Sequence, residues 1–260
     1  MSGTLYLVPA PLDFGCEPPL PALTEVLPLA TLEQMARLRY WITENAKTTR
    51  ALLKRVNAVV PLAAPLQELQ IATLPREVHK KGDHVPAQQA GAEQAKAVRA
   101  LLQPALDGHD LALASEAGIP AVADPGSSVV RAAHAAGIRV VPLVGPSSLL
   151  LALAASGLNG QSFAFFGYLP QELPERAKRL QTLESLAMRS GQTQIWIETP
   201  YRNQAVFDHA LQCLKPETRL CIAHGLTLPQ MQIRQASVAQ WRKNPLQLPP
   251  RLPAVFALGL

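Results

Sequence analysis

Short apolar runs broken by proline and glycine set the rhythm of the chain. Leu5–Val8 is the first, ended by Pro9-Ala10-Pro11, which predicts a buried strand opening into a loop. The proline-rich stretch Pro18–Pro28 allows only a short or interrupted helix. Leu32–Ile42 fits helix or strand, and its end, Leu38–Thr43, reads as a strand. Lys47–Val56 has the spacing of a basic amphipathic helix, and Thr73–Gln89 mixes Pro, Gly, His and Lys as a basic loop. Ala90, Ala95, Val98, Leu101 and Leu102 predict a helix over Gln88–Leu106, stopped by Asp107-Gly108. Asp110–Ser115 then reads as a strand, Ser127–Ala136 as a helix stopped by Gly137, and Ile138–Val144 as a strand. Gly145-Pro146-Ser147-Ser148 opens another helix. Such alternation predicts a parallel sheet.

Beyond Asn159 the texture changes. Pro174–Met188 predicts a charged amphipathic helix and Arg202–Leu214 a second helix. Strands are expected at Ser162–Phe166, Gln194–Glu198, Arg219–Ala223, Gln230–Ile233 and Pro253–Leu258. The pattern therefore gives a parallel-sheet N-terminal α/β domain over residues 1–144 and a mixed-sheet α/β domain over 145–260.

Composition narrows this picture. Hydrophobic residues make up 48% of the 260, so the chain folds around a core rather than staying disordered. Val140 to Gln171 carries no charge, but Pro142, Gly145, Pro146, Gly157, Asn159 and Gly160 break it. Only Ser147–Ser156 remains as a clean helix, too short to span a bilayer, so no membrane association is expected. The first residues lack a basic leader and read as a strand, not a signal peptide. Cys16, Cys213 and Cys221 have no paired spacing, which fits reduced thiols in a cytoplasmic protein and no metal site. The net charge is +5, and Thr218–Leu260 contains Arg219, Arg234, Arg242, Lys243 and Arg251 but no acid. That suits RNA and suits a solvated basic face equally.

Two loops stand out as chemistry. Ser115-Glu116-Ala117-Gly118-Ile119-Pro120-Ala121-Val122-Ala123-Asp124-Pro125-Gly126 follows a predicted strand, and its small residues let a ligand approach the backbone. Gly145-Pro146-Ser147-Ser148 leads from a strand into a helix N-terminus, which suits a ligand and an ordinary helix start alike. In a parallel sheet both turns lie on the same edge. The sequence contains no P-loop, no Ser-His-Asp arrangement and no metal motif.

These segments, with Gly137–Ser147, Ala155-Ser156-Gly157-Leu158, Phe166-Gly167-Tyr168-Leu169-Pro170 and Ile197-Glu198-Thr199-Pro200-Tyr201-Arg202, resemble the tetrapyrrole methylase superfamily almost end to end. The branch that it resembles most methylates a cytidine 2′-hydroxyl of small-subunit ribosomal RNA. The resemblance implies the two-domain tetrapyrrole-methylase fold, S-adenosylmethionine in the interdomain cleft, and a homodimer. Carried over by position, it implies cofactor contacts at Leu12, at Ser115, Glu116, Ala117, Gly118, Ala121 and Val122, at Ser147 and Ser148, and at Glu198, Cys221, Pro253 and Ala254. The chain departs from the ribosomal branch at three places. Thr43-Glu44-Asn45-Ala46-Lys47 lacks a second acid and an arginine, and His224-Gly225-Leu226-Thr227-Leu228 lacks a flanking charged pair. Leu252-Pro253-Ala254 stands where a Gly-Glu is usual.

Methyl transfer to a hydroxyl needs a proton acceptor. Glu44, Glu116, Glu198 and His224 are the candidates, with Glu198 first as catalytic base; its other reading is a carboxylate bonded to backbone N–H groups or to the adenosine end of the cofactor. Tyr201 and Arg202 suit an acidic or aromatic substrate. Lys47, Arg50, His79, Lys80, Lys81 and His84 suit a basic rim. The expected function is a methyltransferase acting on RNA. The alternatives are a methyltransferase of a small tetrapyrrole-like molecule and a non-catalytic protein that binds S-adenosylmethionine.

Overall fold

The structure is a computed structural model that describes residues 2–13, 15–16, 18–75 and 92–260, with the backbone alone for 92–94. The chain divides into two compact units. One is Met1–Phe14 with Pro21–Pro146, and the other is Gly15–Leu20 with Ser147–Leu260. The division thus falls two residues beyond the expected Val144–Gly145 junction, and a short excursion from the first loop joins the second unit.

In the first unit, β1 (Thr4–Val8), β2 (Tyr40–Thr43), β3 (Gln70–Thr73), β4 (Leu111–Ala114) and β5 (Arg139–Pro142) form a parallel sheet in the order β3-β2-β4-β1-β5. From β1 the chain moves one way, through β2 to β3. From β3 it moves the other way, through β4 to β5. Right-handed crossovers then place the connecting helices on opposite faces. Alternate residues of β4 record this. Leu111 and Leu113 pack with Val98, Leu102, Val129 and Ala133, whereas Ala112 and Ala114 pack with Leu32, Met35, Leu53 and Val56. Adjacent β1 and β4 therefore send their loops to opposite faces, which makes their carboxyl ends a topological switch point.

The second unit holds β6 (Phe163–Phe165), β7 (Thr193–Glu198), β8 (Arg219–His224), β9 (Gln232–Ser237) and β10 (Ala254–Gly259) in the order β6-β7-β10-β8-β9. Only the β6–β7 pair is parallel. One face carries Trp196, Ile222, Phe256 and Leu258 against Leu180, Leu183, Val206 and Phe207. Trp196 and Phe256 stack at 5.3 Å, and the Trp241 indole N–H donates to the Leu220 carbonyl at 2.8 Å. The helix Ser148–Ser156 packs on β8, β9 and β10 with Leu149, Ala152 and Leu153 buried.

Some expectations shift. The ambiguous segment splits into the helix Leu29–Arg37 and β2. The expected helix Gln88–Leu106 appears as Ala92–Leu101 and Gln103–Leu106, where Pro104 denies the ladder a donor. β9 lies at Gln232–Ser237 rather than Gln230–Ile233 and continues into the helix Val238–Lys243. Most of the basic segment Thr73–Gln89, with His79, Lys80, Lys81 and His84, lies outside the described residues, as do Gln88–Gly91. Among the described residues no helix is long and apolar enough to cross a membrane.

Candidate functional site

On the first unit, three loops leave the carboxyl edge at β4, β1 and β5, and they touch. Ala10 and Gly118 exchange backbone hydrogen bonds of 2.8 and 3.0 Å, an antiparallel bridge across the switch point. A Cβ on Gly118 would stand 3.4 Å from Leu12 Cδ2 and 3.7 Å from the Pro146 carbonyl. A Cβ on Gly145 would fall 2.3 Å from Pro9 Cβ. The sequence places glycine where these loops abut. The loop after β4 also holds two alanines in the left-handed region, Ala121 at φ 65° and Ala123 at φ 63°. Such strain, on the order of 1–2 kcal/mol per residue, persists only where surrounding contacts impose it, and it gathers at ligand loops.

The side chains of this loop divide between holding it and facing outward. Ser115 is buried, and its hydroxyl lies 3.3 Å from the Ala117 and Gly118 carbonyls, so it folds its own loop. Glu116 accepts a 2.6 Å bond from Thr48 Oγ1 of the helix Ala46–Asn57. Asn45 caps that helix by accepting from the Lys47 N–H at 2.9 Å. Val122 is exposed.

Asp124 is the residue that sequence reasoning passed over. Burial pushes its carboxyl up to about 7, and the carboxylates of Glu44 and Glu116 add to the rise. Three acids from two loops thus share one neighbourhood, which spacing along the chain does not reveal. The linkage has a definite sign. Between about pH 4 and 7 the unfolded chain releases this proton while the native one keeps it, so stability falls as pH rises. Asp124→Asn is therefore expected to exceed the parent in stability at about pH 8 by roughly 1–2 kcal/mol, a figure discounted for partial exposure. At about pH 4 the gap closes. Urea unfolding at both pH values checks this, and equal gaps at the two would refute it.

On the second unit, Glu198, Ala254, His224 and Gln232 stand in register across β7, β10, β8 and β9. Glu198 is buried, and its Oε2 lies 2.8 Å from Arg202 Nε. Burial raises its carboxyl above the usual range, while Arg202, the Leu169 N–H and Arg176 pull it back. Arg202 also donates to the Leu169 and Pro170 carbonyls at 2.9 and 3.2 Å. Buried Arg176 donates to Pro170 and Gln171 at 2.9 and 2.6 Å. Two guanidiniums thus fix the Leu169–Gln171 segment beside Glu198. Arg202 is committed there, and Tyr201 beside it is 80% exposed.

His224 is buried, and burial lowers its pKa against the opposing pull of Gln232, whose Oε1 sits 3.1 Å from Nε2. Cys221 lies in mid-strand with its thiol pushed up to about 11 by burial, so it is no thiolate at neutral pH. Ala254 opens β10, buried, after exposed Pro253. Ser147 is the N-cap of Ser148–Ser156, and its hydroxyl makes no capping bond. Asn203, also passed over, is buried and donates to the Leu252 carbonyl at 2.7 Å, which fixes the entry to Pro253-Ala254. The basic stretch is partly structural. Arg234 lies 4.4 Å over the Trp241 ring, and Arg242 bonds the Leu211 and Leu214 carbonyls at 2.8 and 2.9 Å. Arg219 and Lys243 are exposed. Among the described residues no group of His, Cys, Asp or Glu suits a metal.

Comparison with known proteins bears on both units. The model of tetrapyrrole (corrin/porphyrin) methylases matches residues 43–241. Ribosomal RNA small subunit methyltransferase I of Vibrio cholerae is 37% identical over 135 residues, 52% of this chain and 45% of that protein. Its counterpart in Pseudomonas aeruginosa is 37% identical over 133 residues, 51% of this chain and 46% of that protein. The chain spans about half the length of the curated relatives that it matches. The solved structure of the methyltransferase CobJ matches 99% of this chain and 94% of its own, with a TM-score of 0.56 and 17% identity. Uroporphyrin-III C-methyltransferase from Thermus thermophilus, complexed with S-adenyl homocysteine, matches 99% of this chain and 97% of its own, with a TM-score of 0.52 and 18% identity. At that identity the likeness is one of fold.

Proposed function

The chain belongs to the tetrapyrrole methylase family, and on that premise we propose that it is an S-adenosylmethionine-dependent methyltransferase. The observation that carries this reading is the bridged loop cluster at the β1–β4 switch point, where Ala10 meets Gly118 and the loop Ser115–Gly126 holds Ala121 and Ala123 under strain. Open parallel sheets bind ligands at such points. The residues fit a compact polar cofactor, since Ala117, Ala121 and Ala123, around the bridged Gly118, set only methyl groups beside the backbone. When bound, the cofactor supplies an electrophilic methyl group on a sulfonium.

In this reading Leu12, Glu116, Ala117, Gly118, Ala121 and Val122 make the contacts of the first unit, while Ser115 braces the loop. Ser147, Ser148, Glu198, Cys221, Pro253 and Ala254 make those of the second, with Cys221 contributing as a small neutral side chain. Glu198 is proposed both to hold the cofactor end of β7 and to accept the acceptor's proton. Its raised carboxyl favours the second role and its Arg202 partner the first.

The acceptor that we propose is RNA, supported by the names of the curated relatives and by exposed Arg219 and Lys243. A homodimer is proposed with it, supported by the uncharged exposed residues Leu150, Leu151, Ala154 and Ala155 on Ser148–Ser156. A cytoplasmic location is proposed from Cys213 and Cys221, thiols outside any disulfide.

Calorimetric titration of the chain with S-adenosylmethionine tests the cofactor reading. Micromolar binding is expected, and no heat at millimolar cofactor would overturn it. Binding with an unchanged ribosomal RNA methylation profile in deletion cells would instead remove ribosomal RNA as acceptor.

A further inference from the structure

The first loop is pinned at two places, and only one lies on the sheet. At Ala10 it is bridged to Gly118. Three residues on, the Asp13 carboxylate is met by Arg55, which lies in the last turn of the helix Ala46–Asn57. Arg55 Nη1 donates to Asp13 Oδ2 at 2.8 Å, and Nη2 donates to the Pro21 carbonyl at 3.2 Å. The Asp13 side chain is 10% exposed and that of Arg55 32%, so the pair is sheltered. Asp13 lies just before the Gly15–Leu20 excursion, and Pro21 is where the chain rejoins the first unit. One guanidinium fastens both limbs. Leu12, next to Asp13, is the side chain nearest the place where Gly118 lacks a Cβ.

We propose that Arg55 is a positioning residue for the cofactor loop, clamping Asp13 and Pro21 so that Leu12 is already set against Gly118 before a ligand arrives. The role rests on the reading of Leu12 and Gly118 as cofactor contacts. The physical case is preorganisation. A loop held at Ala10 alone must order Pro11, Leu12 and Asp13 on binding, and that ordering is charged against affinity. Arginine suits the task because its planar fork presents two N–H groups to two acceptors, whereas a lysine ammonium meets one such pair less well.

The test uses the full chain with S-adenosylhomocysteine as the calorimetric probe, alongside amide hydrogen exchange of residues 10–13. Arg55→Met and Asp13→Asn should each weaken binding about tenfold, with the double variant no weaker than either. Arg55→Lys should fall between them and the parent. Exchange at Leu12 and Asp13 should quicken in step, and Asp13→Asn, which strands no carboxylate, should lower thermal unfolding less than Arg55→Met does. Folded variants whose loop exchanges faster but whose affinity equals the parent's would overturn the positioning role. So would variants with unchanged exchange. If the parent itself gives no heat while exchange still differs between parent and variant, the clamp exists and the cofactor reading is what fails.

Discussion

Arg202→Met is expected to cost the protein about 3 kcal/mol or more, because it strands a buried carboxylate. Glu198 is 1% exposed, and Arg202 is the cation that touches it. The same guanidinium satisfies the Leu169 carbonyl, so the loss extends to the segment after β6. In thermal terms this is a fall of roughly 6–12 °C for a chain of this size. The deficit should shrink as pH is lowered. Without Arg202 the Glu198 carboxyl rises further, so the native state regains a proton at a higher pH than the parent does, and the cost fades as both become protonated. Glu198→Gln should be milder, at about 1 kcal/mol, and Glu198→Gln in the Arg202→Met background should recover part of the loss. Unfolding of the four proteins at two pH values decides it. A double variant no more stable than Arg202→Met alone would sink the ion-pair account. The same Glu198→Gln protein examines the proposed base: full turnover would leave Glu198 with the holding role only.

That pairing shows what the sequence could and could not disclose. Strands with an apolar signature are legible from their residues: β4 and β10 are buried throughout, and Leu5–Val8 of β1 and Ile195-Trp196-Ile197 of β7 read as apolar runs. β3 is not, because Gln70-Ile71-Ala72-Thr73 is an edge strand with three exposed positions, and its pairing with β2 comes from tertiary contact rather than from periodicity. β9, Gln232–Ser237, is likewise an edge strand, and Gln232, Arg234 and Gln235 leave it without an apolar run. The helix Val238–Lys243 had a local signal, the Ser237–Gln240 capping box, which is too short to notice without a long apolar stripe behind it.

The site divides along the same line. Loops rich in Gly, Ala and Pro announce themselves, so Ser115–Gly126 and Gly145–Ser148 were visible as candidates. Groups that matter through burial do not. Arg176 is one charge among many on the helix Leu173–Ser190, and nothing in its neighbours distinguishes it as the buried one. Asp124 sits in the loop Ser115–Gly126, yet its raised carboxyl comes first from burial and then from Glu44, which follows the neighbouring strand β2, and from Glu116. The Asp13–Arg55 pair spans 42 positions. Long-range electrostatics needs the fold before it can be read.

Gly145→Ala is the second change expected to be severe, and it separates two reasons for glycine in these loops. The backbone at Gly145 is one that alanine adopts readily, so the objection is space. Its Cβ would lie 2.3 and 2.4 Å from Pro9 Cβ and Cγ and 3.2 Å from Leu27 Cδ2. Pro9 is a stiff ring at the end of β1, and Leu27 is 1% exposed, so neither yields easily. Overpacking of this kind costs about 2–3 kcal/mol. Any relief must push Pro9 away and drag Ala10 off Gly118, so affinity for S-adenosylhomocysteine should fall at least about tenfold as well. At Gly118 the balance is reversed. The space is ordinary, at 3.4 Å to Leu12, but φ is 73°, so Gly118→Ala should lose only the torsional cost of about 1–2 kcal/mol. The discriminating protein is Gly145→Ala combined with Pro9→Gly, which removes both Cβ and Cγ of the ring. Relative to Pro9→Gly alone, adding Gly145→Ala should then cost much less than it costs in the parent, whereas Gly118→Ala should cost the same in either background. Chemical denaturation of the five variants and the parent measures this, and a Pro9→Gly that leaves the cost of Gly145→Ala undiminished would mean that the contact between the first and third loops is not what reserves that position for glycine.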